Sequence, residues 1–185
     1  MNKSRNQVVK LVAAAMLCAI SIILVYLVHF PIFAAAPFLE YDPADIPILI
    51  GSFLFGPVTG LIMTVVTSII QALTVSASSG WIGCLMHVFA TGSFVIASGL
   101  IYRGKKTLKR AIIALLVGVV AQVVAMVIWN LIFTPIFMGT PVNVVLQLML
   151  PAILPFNLIK AGVNAVLTFV LYKSVSKAVS KFLLT

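Results

Sequence analysis

The sequence predicts an all-α integral membrane protein: six transmembrane helices in one bundle, with both termini in the cytoplasm. Of its 185 residues, 63% are hydrophobic and 8% are charged, and the mean hydropathy is +1.25. These values lie far outside the range of soluble domains. The charges are also segregated, because basic clusters separate the apolar runs and all three acidic residues fall within positions 40–45. We expect one membrane domain, residues 1–185, with little room for a soluble one.

The six spans are predicted from apolar runs, of which the first is about the length needed to cross the hydrocarbon of a bilayer. They are predicted at about residues 8–28, 46–55, 58–75, 81–102, 111–134 and 151–172. The first is too long for the core of a signal peptide, so we expect it to be retained. The second is short and ends at Gly56-Pro57, which indicates a tilted or half-buried helix. The fourth begins at Trp81 and ends at Tyr102, aromatic residues that favour the membrane interface.

Two segments between the spans are apolar and contain proline. Residues 29–45 are predicted to form an outer loop whose first half, residues 30–37, is too apolar for a solvent loop, so we expect a re-entrant or capping segment packed on the bundle. Residues 135–150 are predicted to form a second long loop, because Pro135, Gly139 and Pro141 interrupt the helical pattern.

The distribution of charge predicts the orientation in the membrane. With both termini inside, 11 of the 12 basic residues face the cytoplasm and all three acidic residues lie outside, as the positive-inside rule requires. The 11 are Lys3, Arg5, Lys10, Arg103, Lys105, Lys106, Lys109, Arg110, Lys173, Lys177 and Lys181. The net charge of +9 therefore reads as a topology signal. No basic face interleaved with aromatic residues is present, so we predict no binding to nucleic acid.

The acidic stretch holds Glu40, Asp42 and Asp45 in an apolar setting. Carboxylates beside hydrocarbon are costly, so three of them this close together indicate a local task. We interpret the stretch as part of a loop that closes a binding site. The alternative is a solvated turn whose acids only mark the outer side.

Lys160 is the twelfth basic residue, and it lies about nine residues into the sixth span. An ammonium group at that depth costs on the order of 2.5–3.5 kcal/mol, so it must face water, a carboxylate, a carbonyl or a ligand. Asn157 and Asn164 lie three residues before it and four after it, which places all three on one helical face. The alternative to a ligand contact is a structural salt bridge to Glu40 or Asp42.

Other polar residues fall in the outer halves of their spans: Gln71, His87 and Asn130. Each alone is also explained by helix packing or by a hydrogen bond between helices. Together with the stripe on the sixth span, they predict a pocket open to the outside, in which amide groups and Lys160 bind a flat polar ligand.

No recognisable catalytic or metal-binding motif is present. The sequence lacks a P-loop and an HExxH motif, and Cys18 and Cys84 have no CxxC spacing. We therefore predict no enzyme, no catalytic residue, no metal site and no cofactor. In the first span, Ala15 and Ala19 lie one helical turn apart, a spacing that lets another helix approach closely, either within this chain or from a partner.

Two motifs in this chain resemble the riboflavin-specific substrate-binding (S) subunits of energy-coupling factor (ECF) vitamin transporters. The first is Phe38-Leu39-Glu40-Tyr41-Asp42-Pro43-Ala44-Asp45-Ile46-Pro47, followed by Leu54-Phe55-Gly56-Pro57. The second is Leu154-Pro155-Phe156-Asn157-Leu158-Ile159-Lys160-Ala161-Gly162. The Ala15–Ala19 pair also looks like the motif by which such subunits dock on their shared module.

The resemblance implies riboflavin as the transported ligand, with flavin mononucleotide as a second candidate. It implies a transmembrane coupling subunit and two cytosolic ATPases as partners, in the plasma membrane of a prokaryote. It also implies a motion, in which the subunit topples in the membrane to release its ligand. The implied ligand-binding residues are Glu40, Asn130, Asn157, Lys160 and Asn164, and the resemblance extends this set to Leu39, Tyr41, Trp81 and His87.

Three other functions remain open at this point. The chain could be an S subunit for another vitamin, such as thiamin or a nicotinate-like compound, and a ligand panel separates these. It could be an intramembrane enzyme with Lys160 and Glu40 as an acid–base pair, which turnover would reveal. A purely structural membrane subunit would bind no small molecule.

Overall fold

The computed structural model describes residues 3–104 and 106–184, and the side chains within 6–104 and 106–179. Lys105 lies outside the described residues, as do the side chains of Lys3, Arg5 and Lys181. The helices are α1 (Lys3–Leu27), α2 (Asp45–Phe55), α3 (Pro57–Leu73), α4 (Gly80–Tyr102), α5 (Leu108–Met138), α6 (Val142–Leu148) and α7 (Leu154–Leu184). Two short strands, β1 (Phe30–Pro31) and β2 (Glu40–Tyr41), pair antiparallel in the connection between α1 and α2.

The predicted all-α membrane architecture is confirmed. Among the described residues, four helical stretches are long and apolar enough to cross a membrane: Asn6–Leu27, Ala77–Tyr102, Leu108–Met138 and Val142–Val179. The apolar helices α2 and α3 are shorter, at 11 and 17 residues. Apolar side chains such as Ile48, Leu49 and Phe94 are fully buried where the helices meet. The long helices also present many exposed apolar side chains, as expected of a surface that faces lipid.

Helices α2 to α5 alternate in direction, so their connections lie at two opposite ends of the bundle. We call the end that carries residues 28–44, 74–79 and 139–153 the loop end. At the opposite end, Gly56 joins α2 to α3 with a φ of 97°, a backbone conformation that residues other than glycine rarely adopt.

Helix α2 is short because it begins deep inside the bundle. Its first residue, Asp45, accepts a hydrogen bond from Thr91, which lies eleven residues into α4, or about 16 Å below the loop end of that helix. The 11 residues of α2 then cover about the remaining 16 Å. The segment before α2 packs on the bundle as predicted, with Ala36 and Ala44 fully buried and Leu39 and Tyr41 nearly so.

The predicted end of the fifth span and the loop after it are wrong. Helix α5 continues through Pro135 to Met138 and ends at Gly139, whose φ of 63° is left-handed. Pro135 has no backbone N–H to donate to the Leu131 carbonyl, yet α5 runs on for three further residues and ends one turn after the proline. The supposed loop then contains α6 and a π-helical turn, Met149–Ile153, that leads into α7. The basic tail predicted after residue 172 is also helical, since α7 extends to Leu184.

Candidate functional site

A cavity of about 160 Å³ lies between the helices at the loop end. Its wall comes from the α1–α2 connection and from α3, α4, α5 and α7. Six of the nine predicted ligand-binding residues line it: Leu39, Glu40, His87, Asn130, Asn157 and Lys160. Tyr41 and Asn164 support the wall from behind, and Trp81 lies away from it.

Lys160 forms a buried salt bridge with Asp42 in the wall of this cavity. Its Nζ donates to Asp42 Oδ2 over 2.6 Å, and only 9% of Lys160 is exposed. The other oxygen, Oδ1, accepts the backbone N–H of Ala44. A structural salt bridge to Asp42 is one of the alternatives to a ligand contact that the sequence allows, and that salt bridge is present. Because an ammonium carries three donors, Lys160 keeps hydrogen-bonding capacity toward the cavity that it lines.

Asp45 joins three helices beneath this salt bridge. Its side chain is 1% exposed, and its Oδ1 accepts from Thr91 on α4 at 2.5 Å and lies 3.3 Å from His87 Nε2. Its Oδ2 accepts from Asn164 on α7 at 3.0 Å. His87 Nδ1 in turn lies 2.7 Å from Ser68 Oγ on α3. The buried carboxylate therefore fixes α2 against α4 and α7 through paired polar groups, as a buried charge requires.

Asn164 and Tyr41 hold the acidic stretch onto α7 behind the cavity wall. Asn164 is fully buried, donates to Asp45 and to the backbone oxygen of Asp42, and accepts from the Tyr41 hydroxyl at 3.1 Å. Burial raises the pKa of Tyr41, and the carboxylates of Asp42 and Asp45 raise it further while Lys160 lowers it. The phenol therefore stays protonated near neutral pH and keeps donating to Asn164.

The two other asparagines line the cavity while bonded to their own helices. Asn130 Nδ2 donates to the Met126 carbonyl, and its Oδ1 accepts from Thr134. Asn157 Nδ2 donates to the Ile153 carbonyl at 2.8 Å, next to the π-helical turn. These bonds orient both amides and leave each with further capacity, since a carboxamide has two donors and two lone pairs on oxygen.

Glu40 and His29 contact each other at the mouth of the cavity. Glu40 Oε2 lies 2.8 Å from His29 Nε2, and both side chains are partly exposed. The pairing of β1 with β2 places Pro31 opposite Glu40 and Phe30 opposite Tyr41. The strand pair thus holds Glu40 in the cavity wall, while Tyr41 lies behind that wall and Phe30 is half exposed.

Trp81 is not brought to the cavity. It is 62% exposed at the start of α4 and packs edge-on against Phe133 of α5. Phe133 continues into a stack with Trp129 and Phe89, whose rings lie 4.0 Å apart. We interpret Trp81 as part of this stack on the α4–α5 surface.

Sequence reasoning missed Ser68, Thr91 and Thr134, which also line the cavity. Cys84, which the absence of CxxC spacing left without a predicted role, also lies in the cavity wall. Small hydroxyl and thiol residues are common in membrane helices, so nothing in their spacing singles them out. Within the described parts of the chain, no three His, Cys, Asp or Glu side chains come together as a metal site would need.

Replacing Thr91 by valine is expected to destabilise the bundle by about 1–2 kcal/mol, because one buried acceptor of Asp45 loses its donor. Thr59 is the matched control, since its hydroxyl makes a 3.4 Å bond to Phe55 within a helix surface that is only partly buried. The measurement is the melting temperature in detergent. If Thr91→Val were no less stable than Thr59→Val, the hydrogen bond from Thr91 to Asp45 would not hold α2 against α4.

Ala15 and Ala19 are both exposed on α1, while the opposite face of the helix packs Ala14, Leu17 and Cys18 into the core. The small-residue pair therefore makes no close helix contact within the described part of this chain. It forms a shallow strip on the outside of the bundle.

The structure so far defines a helical membrane protein with a polar cavity at one end, closed by a segment rich in acidic residues. Residues 9–172 match the model of the family described as ECF transporter, substrate-specific component. The chain belongs to this family, whose members are transport proteins and not enzymes.

Individual relatives agree with this assignment. The chain is 31% identical over 117 residues to the riboflavin transporter RibU of Staphylococcus aureus (strain TCH60), which is 63% of this chain and 59% of the relative. It is 25% identical over 113 residues to the riboflavin transporter FmnP of Bacillus subtilis (strain 168), 60% of this chain and 59% of the relative. These matches span less than two thirds of the relatives.

A solved structure also resembles the whole chain. The S component of a bacterial ECF transporter superposes with a TM-score of 0.80 at 29% identity, covering 92% of this chain and 97% of that one. The likeness therefore extends to the helices and connections that build the cavity.

Proposed function

We propose that this protein is the riboflavin-binding S component of an ATP-driven ECF vitamin transporter. It captures riboflavin from outside the cell and delivers it inward together with a transmembrane coupling subunit and two cytosolic ATPases. The observation that carries the proposal is the cavity at the loop end, where Lys160, Asn130 and Asn157 project polar groups between apolar walls. The named function of the relatives supports riboflavin as the ligand.

The orientation is part of the same proposal. Helices α1 to α5 and α7 cross or enter the plasma membrane of a prokaryotic cell and form one domain. The loop end faces outside and both termini face the cytoplasm. This places the acidic stretch outside and the connection 103–107 inside, in agreement with the positive-inside rule.

The cavity suits a flavin physically. The isoalloxazine ring is flat, with apolar faces and a polar edge. Phe156, Met126 and Phe38 supply apolar wall, while Lys160 and the amides supply donors and acceptors for the polar groups of the flavin. Such a combination of apolar walls with a few fixed polar groups is typical of small-molecule sites. Leu39, Glu40 and His87 complete the proposed contacts, with Tyr41 and Asn164 supporting them.

A titration of the purified protein tests the ligand. We expect riboflavin fluorescence to be quenched at one flavin per protein, and thiamin and nicotinate at a hundredfold excess not to displace it. Displacement by thiamin or nicotinate would assign the protein to a different vitamin. Absence of quenching in folded, monodisperse protein would remove flavin from the proposal.

A further inference from the structure

Two glutamines in the cavity wall carry polar atoms without a partner. Gln71 on α3 is 5% exposed and Gln122 on α5 is 1% exposed, and both line the cavity. Within the described residues, nothing lies within hydrogen-bonding distance of Gln71 Nε2 or Gln122 Oε1. Burying an amide group without a hydrogen-bond partner destabilises a protein, so its retention beside a cavity points to a ligand.

The two glutamines lie at different depths. Gly118 of α5 faces Phe94 and Ser98 of α4. Gln122 lies one helical turn nearer the loop end than Gly118, and so at the same depth as Ala90 and Thr91. On the other side, Ser68 of α3 meets His87 of α4. Gln71 is one turn further toward the loop end and lies level with Cys84.

Along α4, Cys84 is about seven residues from Ala90 and Thr91. The two glutamines therefore differ in depth by on the order of 10 Å along the bundle. The surroundings also differ. Near Gln122 the wall is formed by Ala90, Met126 and Thr91, whose hydroxyl is already bonded to Asp45, whereas Ser76 and Ser79 line the cavity near Gln71. The deep position therefore suits an apolar ring with a polar edge, and the shallow one suits a chain of hydroxyl groups.

We propose that both glutamines bind the ligand directly: Gln122 hydrogen-bonds the polar edge of the fused ring at the floor of the cavity, and Gln71 hydrogen-bonds the ribityl chain near the mouth. This assignment rests on the proposed function and adds the direction in which the flavin lies. A carboxamide suits a polyol, because each hydroxyl group of the chain both donates and accepts.

A comparison of two ligands tests the assignment: riboflavin, and lumiflavin, which carries a methyl group in place of the ribityl chain. We expect Gln122→Leu to weaken the binding of both flavins about tenfold, the effect of one lost buried hydrogen bond. We expect Gln71→Leu to weaken riboflavin about tenfold and lumiflavin less than twofold. Gln147→Leu is the matched control, since Gln147 is exposed on α6 and should change neither.

The melting temperature of the ligand-free protein separates binding from a structural role. Leucine removes a buried unpaired amide, so neither variant should melt below the wild type. If a leucine variant fails to fold, the corresponding asparagine variant withdraws the amide by one methylene group and should show the same ligand pattern.

Several results would overturn the assignment while leaving riboflavin binding intact. Unchanged affinities in Gln71→Leu and Gln122→Leu would remove both residues from the site. Equal losses for both flavins in Gln71→Leu would exclude its contact with the ribityl chain. A wild-type protein that binds neither flavin would contradict the proposed function itself, and the assignment with it.

Discussion

Replacing Lys160 by methionine is expected to weaken riboflavin binding about a hundredfold, the largest effect of any single change in the cavity. Lys160 carries the only ammonium or guanidinium group in the described wall of the cavity. A hydrogen bond from a charged donor contributes about 1.5–3 kcal/mol, roughly one to two powers of ten in affinity. Lys177→Met is the control, because Lys177 is exposed near the end of α7 and should leave the affinity unchanged.

The same variant should also destabilise the protein, since it leaves the Asp42 carboxylate buried without its 2.6 Å partner. Breaking a buried ion pair from one side costs about 3–5 kcal/mol. The double variant Lys160→Met, Asp42→Asn removes both charges, so we expect most of the stability to return while binding stays weak. If binding returned together with stability, Lys160 would act only as a structural partner of Asp42.

Introducing tryptophan at Ala15 or Ala19 is expected to abolish riboflavin uptake and to leave riboflavin binding within twofold of the wild type. Both alanines are exposed on α1, far from the residues that line the cavity, so a large side chain there does not disturb the ligand. It does prevent another helix from approaching the small-residue strip closely. Uptake is measured in vesicles reconstituted with the coupling subunit and the two ATPases.

Val120→Trp is the control for this experiment, because Val120 is 62% exposed on α5 and carries the same change to an outward-facing position. Normal uptake in the Ala15→Trp and Ala19→Trp variants would show that the partner docks elsewhere. Loss of uptake in all three variants would indicate a general effect on insertion or assembly.

The stripe on the last helix was predictable because it depends only on helical periodicity. Asn157, Lys160 and Asn164 share one face of α7, and the depth of Lys160 demanded a partner. The identity of that partner was not predictable, since Glu40 and Asp42 are two residues apart and only the β1–β2 pairing turns Glu40 toward His29 and leaves Asp42 to Lys160.

Features that depend on contacts between helices far apart in the chain could not be predicted from the sequence. The depth at which α2 begins is set by bonds from Thr91 and Asn164 to Asp45, which are 46 and 119 residues away. The pattern of apolar residues also predicts how deep a residue lies in the bundle but not which way its side chain points. Trp81 therefore has the expected interfacial position, but its side chain faces outward. Pro135 misled the prediction because proline usually ends a helix at the preceding residue, whereas α5 continues through it for three more residues.

The central claim, a flavin-binding cavity at the loop end, is tested most directly by the visible absorption spectrum of the detergent-purified protein, followed by release and identification of the bound compound. We predict a flavin spectrum at close to one flavin per protein, and riboflavin in the released fraction. A folded protein that carries no flavin and does not take up added riboflavin would contradict the claim.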